Sequence, residues 1–133
     1  MILRNYILFV CFAAVLASCS NEKQAEKHET PEEVALAAYN HLIKDEYEDY
    51  VKLVHSGDSI TETYRQGLLA TVKQFMARQN DEKKGIKSAS VVDEKTVSND
   101  NYALVMLILT YGDSTSEEVA VPVVKVNDVW RLR

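Results

Sequence analysis

The feature that most constrains this chain is a change of hydrophobic period at Gly85. Before it, apolar residues recur at the spacing of one helix face. After it they alternate, as in a half-buried strand, and the residues become β-branched. Helices followed by an antiparallel sheet give an α+β fold: three N-terminal helices packed on one face of a curved four-stranded antiparallel sheet.

The helix starts carry their own chemistry. Thr30-Pro31-Glu32-Glu33 combines a hydroxyl cap, a proline at the first helical position and a glutamate that reaches back to the cap. Asp45 with Glu48 and Ser59 with Glu62 predict two further starts. The first helix, about Pro31 to Ile43, aligns Val34, Ala35, Ala38, Tyr39 and Leu42. A short second helix aligns Tyr47, Tyr50, Val51 and Val54. The third, about Ile60 to Gln79, aligns Tyr64, Leu68, Leu69, Val72, Phe75 and Met76 as a broad face expected to be core. Strands are expected at about Ile86 to Glu94, Tyr102 to Tyr111, Glu117 to Val126 and Val129 to Leu132. Asn127-Asp128 is a tight hairpin connection. Pro122 is the one local conflict, and requires a bulge or a nitrogen turned away from its neighbour strand.

Upstream of these elements the sequence reads as a targeting segment. Arg4 precedes an apolar run from Tyr6 to Leu16 that is too short to span a bilayer. The run ends in Leu16-Ala17-Ser18-Cys19, which resembles the lipobox of bacterial lipoproteins. That resemblance implies cleavage between Ser18 and Cys19, a diacylglycerol thioether on Cys19 and a further acyl group on the new amino terminus. Two or more acyl chains anchor a protein lastingly where a single one does so only marginally. Residues 1–18 are thus read as a lipoprotein signal peptide, 19–29 as a flexible, charge-rich tether and 30–133 as a single domain. The expected location is the cell envelope, lipid-anchored to the outer membrane, since Ser20 is not the aspartate that marks inner-membrane retention in some bacteria. With Cys11 in the leader and Cys19 acylated, no disulfide is expected.

Pro31-Glu32-Glu33-Val34, the Leu42 to Tyr47 junction, Leu109-Thr110-Tyr111-Gly112-Asp113 and Val124 to Leu132 resemble small lipoproteins of unknown function abundant in Bacteroidetes. Those are similar to the nuclear transport factor 2-like superfamily, also called SnoaL-like or cystatin-like. The resemblance spans roughly Thr30 to Arg133. It implies a cone-shaped sheet whose open end holds a small molecule or whose outer face pairs with another copy. In the family pattern the helix junction carries Gly-Asp where this chain has Asp45-Glu46. The last hairpin likewise carries a glycine where this chain has Asp128.

Function is less legible than fold. The formal net charge is -5 and no basic run tracks a phosphate backbone, which argues against nucleic acid. Enzymes of the superfamily place a tyrosine or histidine donor and an aspartate base in the cone. Tyr39, Tyr64 and Tyr102 are candidate donors, but no strand holds a carboxylate after the second helix. Asp93 and Glu94 read as a solvated turn. His28, His41 and His55 lack ligand spacing, so no metal is expected, with His41 read as a helix-surface residue. No cofactor is implied.

The resulting expectation is a non-catalytic protein-interaction or structural module, partnered by the membrane through Cys19 and by an envelope protein or a second copy. The alternative is a small hydrophobic ligand in the cone. An isomerase or dehydratase of the SnoaL-like kind ranks third. A mouth lined by Tyr39, Tyr64, Tyr102 or Trp130 favours a ligand, whereas one filled by Phe75, Met76 and Leu107 favours a scaffold.

Overall fold

A computed structural model describes residues 30–54, 60–97 and 101–133, the side chains of residues 95–97 excepted. The leader, Cys19, the tether with His28, and the segment holding His55 and Ser59 lie outside the described residues.

Helix α1 spans Pro31–Ile43. Thr30 accepts the Glu33 amide at 3.2 Å, and Glu32 and Glu33 place negative charge on the amino-terminal turn. Val34, Ala35, Ala38 and Leu42 form its buried stripe. The two alanines keep the helix axis close to the sheet, since each adds only a methyl group to the interface.

Helix α2 is Tyr47–Leu53, and its start corrects the expected one. Glu46 occupies the cap position without a side-chain hydrogen bond. Asp45 instead forms the turn, with φ 61, and its carboxylate accepts the Tyr47 hydroxyl at 2.8 Å. A left-handed conformation explains why a glycine suits this junction, and aspartate is among the few other residues that tolerate it.

Helix α3, Glu62–Lys83, is capped by Thr61, whose hydroxyl accepts the Tyr64 amide at 3.1 Å. It starts two residues later than expected and runs four residues past Gln79. Lys84 and Gly85, with φ 63 and 82, then close it in left-handed conformations. Its expected apolar face is only partly core. Leu69 and Met76 are buried, but Tyr64 is 52% and Phe75 38% exposed. The stripe is present, yet the helix rests on the domain along a narrow line and leaves one flank open.

The sheet consists of β1 (Ile86–Val97), β2 (Tyr102–Tyr111), β3 (Ser116–Val126) and β4 (Val129–Leu132), antiparallel in the order β1-β2-β3-β4. β1 runs to Val97, past the expected end at Glu94, so Asp93 and Glu94 lie within the strand rather than at a turn that closes it. Its register slips twice, at Ile86/Ser88 and Val91/Asp93, bulges that bend the strand. Gly112 sits where the β2–β3 loop meets the α3–β1 corner. Its amide donates to the Gly85 carbonyl at 2.8 Å, and a Cβ there would meet the Lys84 carbonyl oxygen at 2.2 Å. Asn127 and Asp128, with φ 52 and 65, make the two-residue β3–β4 turn.

Strand parity sets the two faces of the sheet. Ala103, Val105, Leu107, Leu109 and Tyr111 of β2, Val121 and Val123 of β3, and Trp130 and Leu132 of β4 face the helices and are buried. Together with the α1 stripe they form the core. Each buried aliphatic side chain of this kind contributes roughly 1.5–3 kcal/mol. Pro122 lies opposite Leu104 in an unbroken β2–β3 register, and its carbonyl accepts the Arg133 amide at 3.1 Å. Its nitrogen therefore points the same way, away from β2, and the ladder loses nothing to the missing proton.

Candidate functional site

An open cleft of about 300 Å³ lies between the three helices, lined by Tyr39, Leu42, Tyr50, Thr71, Val72 and Phe75. It exists because α3 covers the core with Leu69 and Met76 but turns Phe75 and Val72 sideways. A second recess, about 150 Å³, adjoins the same two tyrosines and is bounded by Ala120, Val121, Pro122, Leu132 and Arg133. Tyr39 and Tyr50 line both recesses, so they form the partition between a helical cleft and the edge of the sheet.

The chemistry of the cleft is that of neutral phenols on an apolar wall. Burial, with the Tyr50 and Glu117 charges adding to it, pushes the Tyr39 hydroxyl up to about 12. Burial also raises Tyr50. Both therefore stay protonated at physiological pH and serve as hydrogen-bonding groups, not as bases. Among the described residues Thr71 supplies the remaining polar side chain, and its hydroxyl donates to the Gly67 carbonyl at 2.9 Å.

Beyond this cleft, at the strand end of the cone, Tyr111 donates its hydroxyl to Glu117 at 2.8 Å. Lys83 Nζ lies 3.8 Å from the same carboxylate and 4.4 Å from the centre of the Tyr111 ring. Burial first, and the bond to Glu117 second, hold the Tyr111 hydroxyl well above its ordinary value. Glu117 is thus engaged by a phenol and an ammonium group together.

The residues expected at the mouth separate in the structure. Tyr39 lies in the cleft. Tyr64 points outward from the first turn of α3, half exposed. Tyr102 shares the parity of Leu104 and so lies on the convex face, with the Arg133 guanidinium 5.4 Å from its ring centre. Trp130 is 5% exposed and is core. Met76 and Leu107 fill the floor of the cone, whereas Phe75 lines its open side. Tyr50, read from sequence only as part of a helical stripe, completes the site. Its signal was the alignment of Tyr39 and Tyr50 on consecutive helices joined by a tight turn.

His41 has neighbours that sequence spacing did not reveal. Its Nδ1 lies 2.8 Å from Glu46 Oε1, and with Asp49 the three ligand-type atoms fall within 4.8 Å of one another. The α1–α2 turn brings them together across helix boundaries. Asp49 also lies 3.8 Å from Lys52. A histidine–carboxylate hydrogen bond accounts for the closest approach in this group.

Comparison with solved structures places the architecture. An NTF2-like protein assigned as a transpeptidase, from Campylobacter jejuni, superposes with TM-score 0.61 at 12% identity, over 77% of this chain and 95% of that one. Aln2 from a Streptomyces species aligns with TM-score 0.44 at 13% identity, over 78% of this chain and 88% of that one. No protein-family model matches the sequence, and neither does any curated protein. Three helices against a curled four-stranded antiparallel sheet constitute the nuclear transport factor 2-like fold, and this domain has it.

Proposed function

We propose that this chain is a lipid-anchored cell-envelope protein whose domain is a non-catalytic binding module, with the Tyr39–Tyr50 cleft as its recognition element. The observation that carries the reading is the cleft itself: an open, largely apolar wall with two half-buried, neutral phenols. Such a lining recognises an apolar body carrying one or two hydrogen-bonding groups.

Chemistry beyond binding finds little support in the lining. The transpeptidase assignment of the Campylobacter jejuni protein belongs to that protein, and the likeness is one of fold. The cleft's aliphatic hydroxyl, Thr71, is hydrogen-bonded to its own helix, and a nucleophile needs an adjacent base. Glu117, the carboxylate whose charge reaches Tyr39, is held by Tyr111 and Lys83.

The anchor rests on Leu16-Ala17-Ser18-Cys19 and on the polar stretch that follows it. Among the described residues no helix is long and apolar enough to cross a membrane. A small hydrophobic ligand is the second reading, favoured by one observation: about 300 Å³ lies at the lower end of ligand-site volumes.

Native mass spectrometry of the full chain, extracted in mild detergent, tests the module. Thr71 is exposed on α3 and lines the cleft, so Thr71→Trp fills it without touching the core. Wild type is expected to retain a bound species, either an apolar small molecule or a protein, that Thr71→Trp loses while keeping its thermal midpoint. Equal retention by both, or a bare wild type, overturns the assignment.

A further inference from the structure

A sheet edge left regular and unpaired invites pairing, and folded proteins blunt such edges with bulges, short strands or covering segments. Two of the edges here are treated in that way. β1 is interrupted by two bulges. β4 is short and pairs on its far side with Val54 through an isolated parallel bridge to Leu132. The remaining stretch is the part of β3 that β4 does not reach.

β4 pairs with Val123 to Val126, and Arg133 bonds to Pro122. From Ser116 to Val121, β3 has β2 on one side and, among the described residues, no strand on the other. The register fixes which groups face outward. Pro122 directs its carbonyl toward β4, so the alternate residues Ala120 and Glu118 direct their amides and carbonyls to the same, open side. Both residues are exposed. The β2–β3 register over this stretch has no slip, so the edge is straight enough to template another strand.

We infer that this edge of β3 binds an extended, alternating basic and apolar segment of a partner protein by strand addition. The inference rests on the reading of the domain as a binding module and names its partner's chemistry. Strand addition draws affinity from main-chain hydrogen bonds and specificity from alternate side chains. Beside Ala120 and Val121, the 150 Å³ recess lined by Tyr39, Tyr50, Leu132 and Arg133 has the bulk of about five water molecules at about 30 Å³ each, room for one short apolar side chain against the tyrosine rings and Leu132. On the outer side, Glu118 shares the face of Ile108 and is exposed, in a chain of net charge -5. A lysine or arginine on the added strand meets it there. A second copy adding through the same edge brings a second Glu118 to the same interface, and with the two-fold axis at that residue the like charges pair across the strands and destabilise.

Amide hydrogen exchange by NMR on the full-length chain, at low salt, tests the proposal with two synthetic probes. One is acetyl-Lys-Val-Lys-Leu-Lys-amide, and the other carries glutamate in place of each lysine. The basic peptide is expected to bind at least about tenfold more tightly and to protect the Glu118 and Ala120 amides. Ala120→Pro removes an outward amide and no bond to β2, so it is expected to weaken binding about tenfold with the thermal midpoint retained. Should that variant lose its fold, Glu118→Lys serves instead, with the preference reversing to the acidic peptide. No binding, no peptide preference, or undiminished binding by Ala120→Pro overturns the inference. Changes confined to Val72 and Phe75 also overturn it, while leaving the cleft assignment standing.

Discussion

At the residue scale, the candidate site depends on the difference between a half-buried phenol and an exposed charge. Tyr39 is raised from 10.0 to about 12, mainly by burial. A group with a raised folded value contributes stability that is intact below its unfolded value and lost as pH rises through the folded one. Thermal stability is therefore expected to fall between pH 10 and about 12, and Tyr39→Phe to flatten part of that decline; an unchanged alkaline limb refutes the environment assigned to Tyr39. Glu62 has the opposite sign. The hydrogen bonds from Arg65 and Gln66 lower its carboxyl from 4.5 to about 2. Its contribution is present above 4.5 and is lost as pH falls toward 2, so Glu62→Gln is expected to flatten the acid limb of a thermal-melt series. Because this carboxylate is fully exposed, solvent screening keeps the effect small. Of the site residues, Tyr39 was legible because its place in the α1 stripe put it beside the core. Tyr102 was not, because β2 is apolar on both faces, Ala103-Val105-Leu107 on one and Leu104-Met106-Ile108 on the other. Parity cannot choose a face in such a strand.

At the scale of elements, local signals located most boundaries and tertiary contacts decided the rest. The bounds of β2 follow from its unbroken apolar run and the polar turn residues after it, and those of β4 from alternation after the Asn127-Asp128 turn. The start of α3 does not, since Ser59 and Thr61 are equally good hydroxyl caps and only the fold selects Thr61. Its partial exposure was invisible for a related reason: a stripe states which residues align, not how wide a surface they meet. Two glycines probe this level. A Cβ at Gly67, inside α3, meets nothing within 4 Å, so Gly67→Ala is expected to stabilise by about 0.5–1 kcal/mol. At Gly112 the same change drives a methyl group into the Lys84 carbonyl and is expected to cost about 1–3 kcal/mol. Urea titration of both variants checks the pair, and equal shifts contradict the described close approach.

At the scale of the whole molecule, the change of period at Gly85 carried the class, and the resemblance carried the cone. The cleft between α1, α2 and α3 was beyond sequence reasoning, because it depends on where α3 fails to pack. Both the cleft and the recess beside the open edge of β3 are lined by Tyr39 and Tyr50, and in the proposed reading this part of the domain is its recognition surface. In the same reading, Cys19 is what holds the domain in the envelope, and the classes of partner follow from that location. The most direct measurement is the intact mass of the chain isolated from its own membrane fraction, beside a Cys19→Ala variant. The expected chain begins at Cys19 and carries acyl mass, with the variant unacylated and released from the membrane. A free thiol at Cys19, or a chain that begins elsewhere, contradicts this reading.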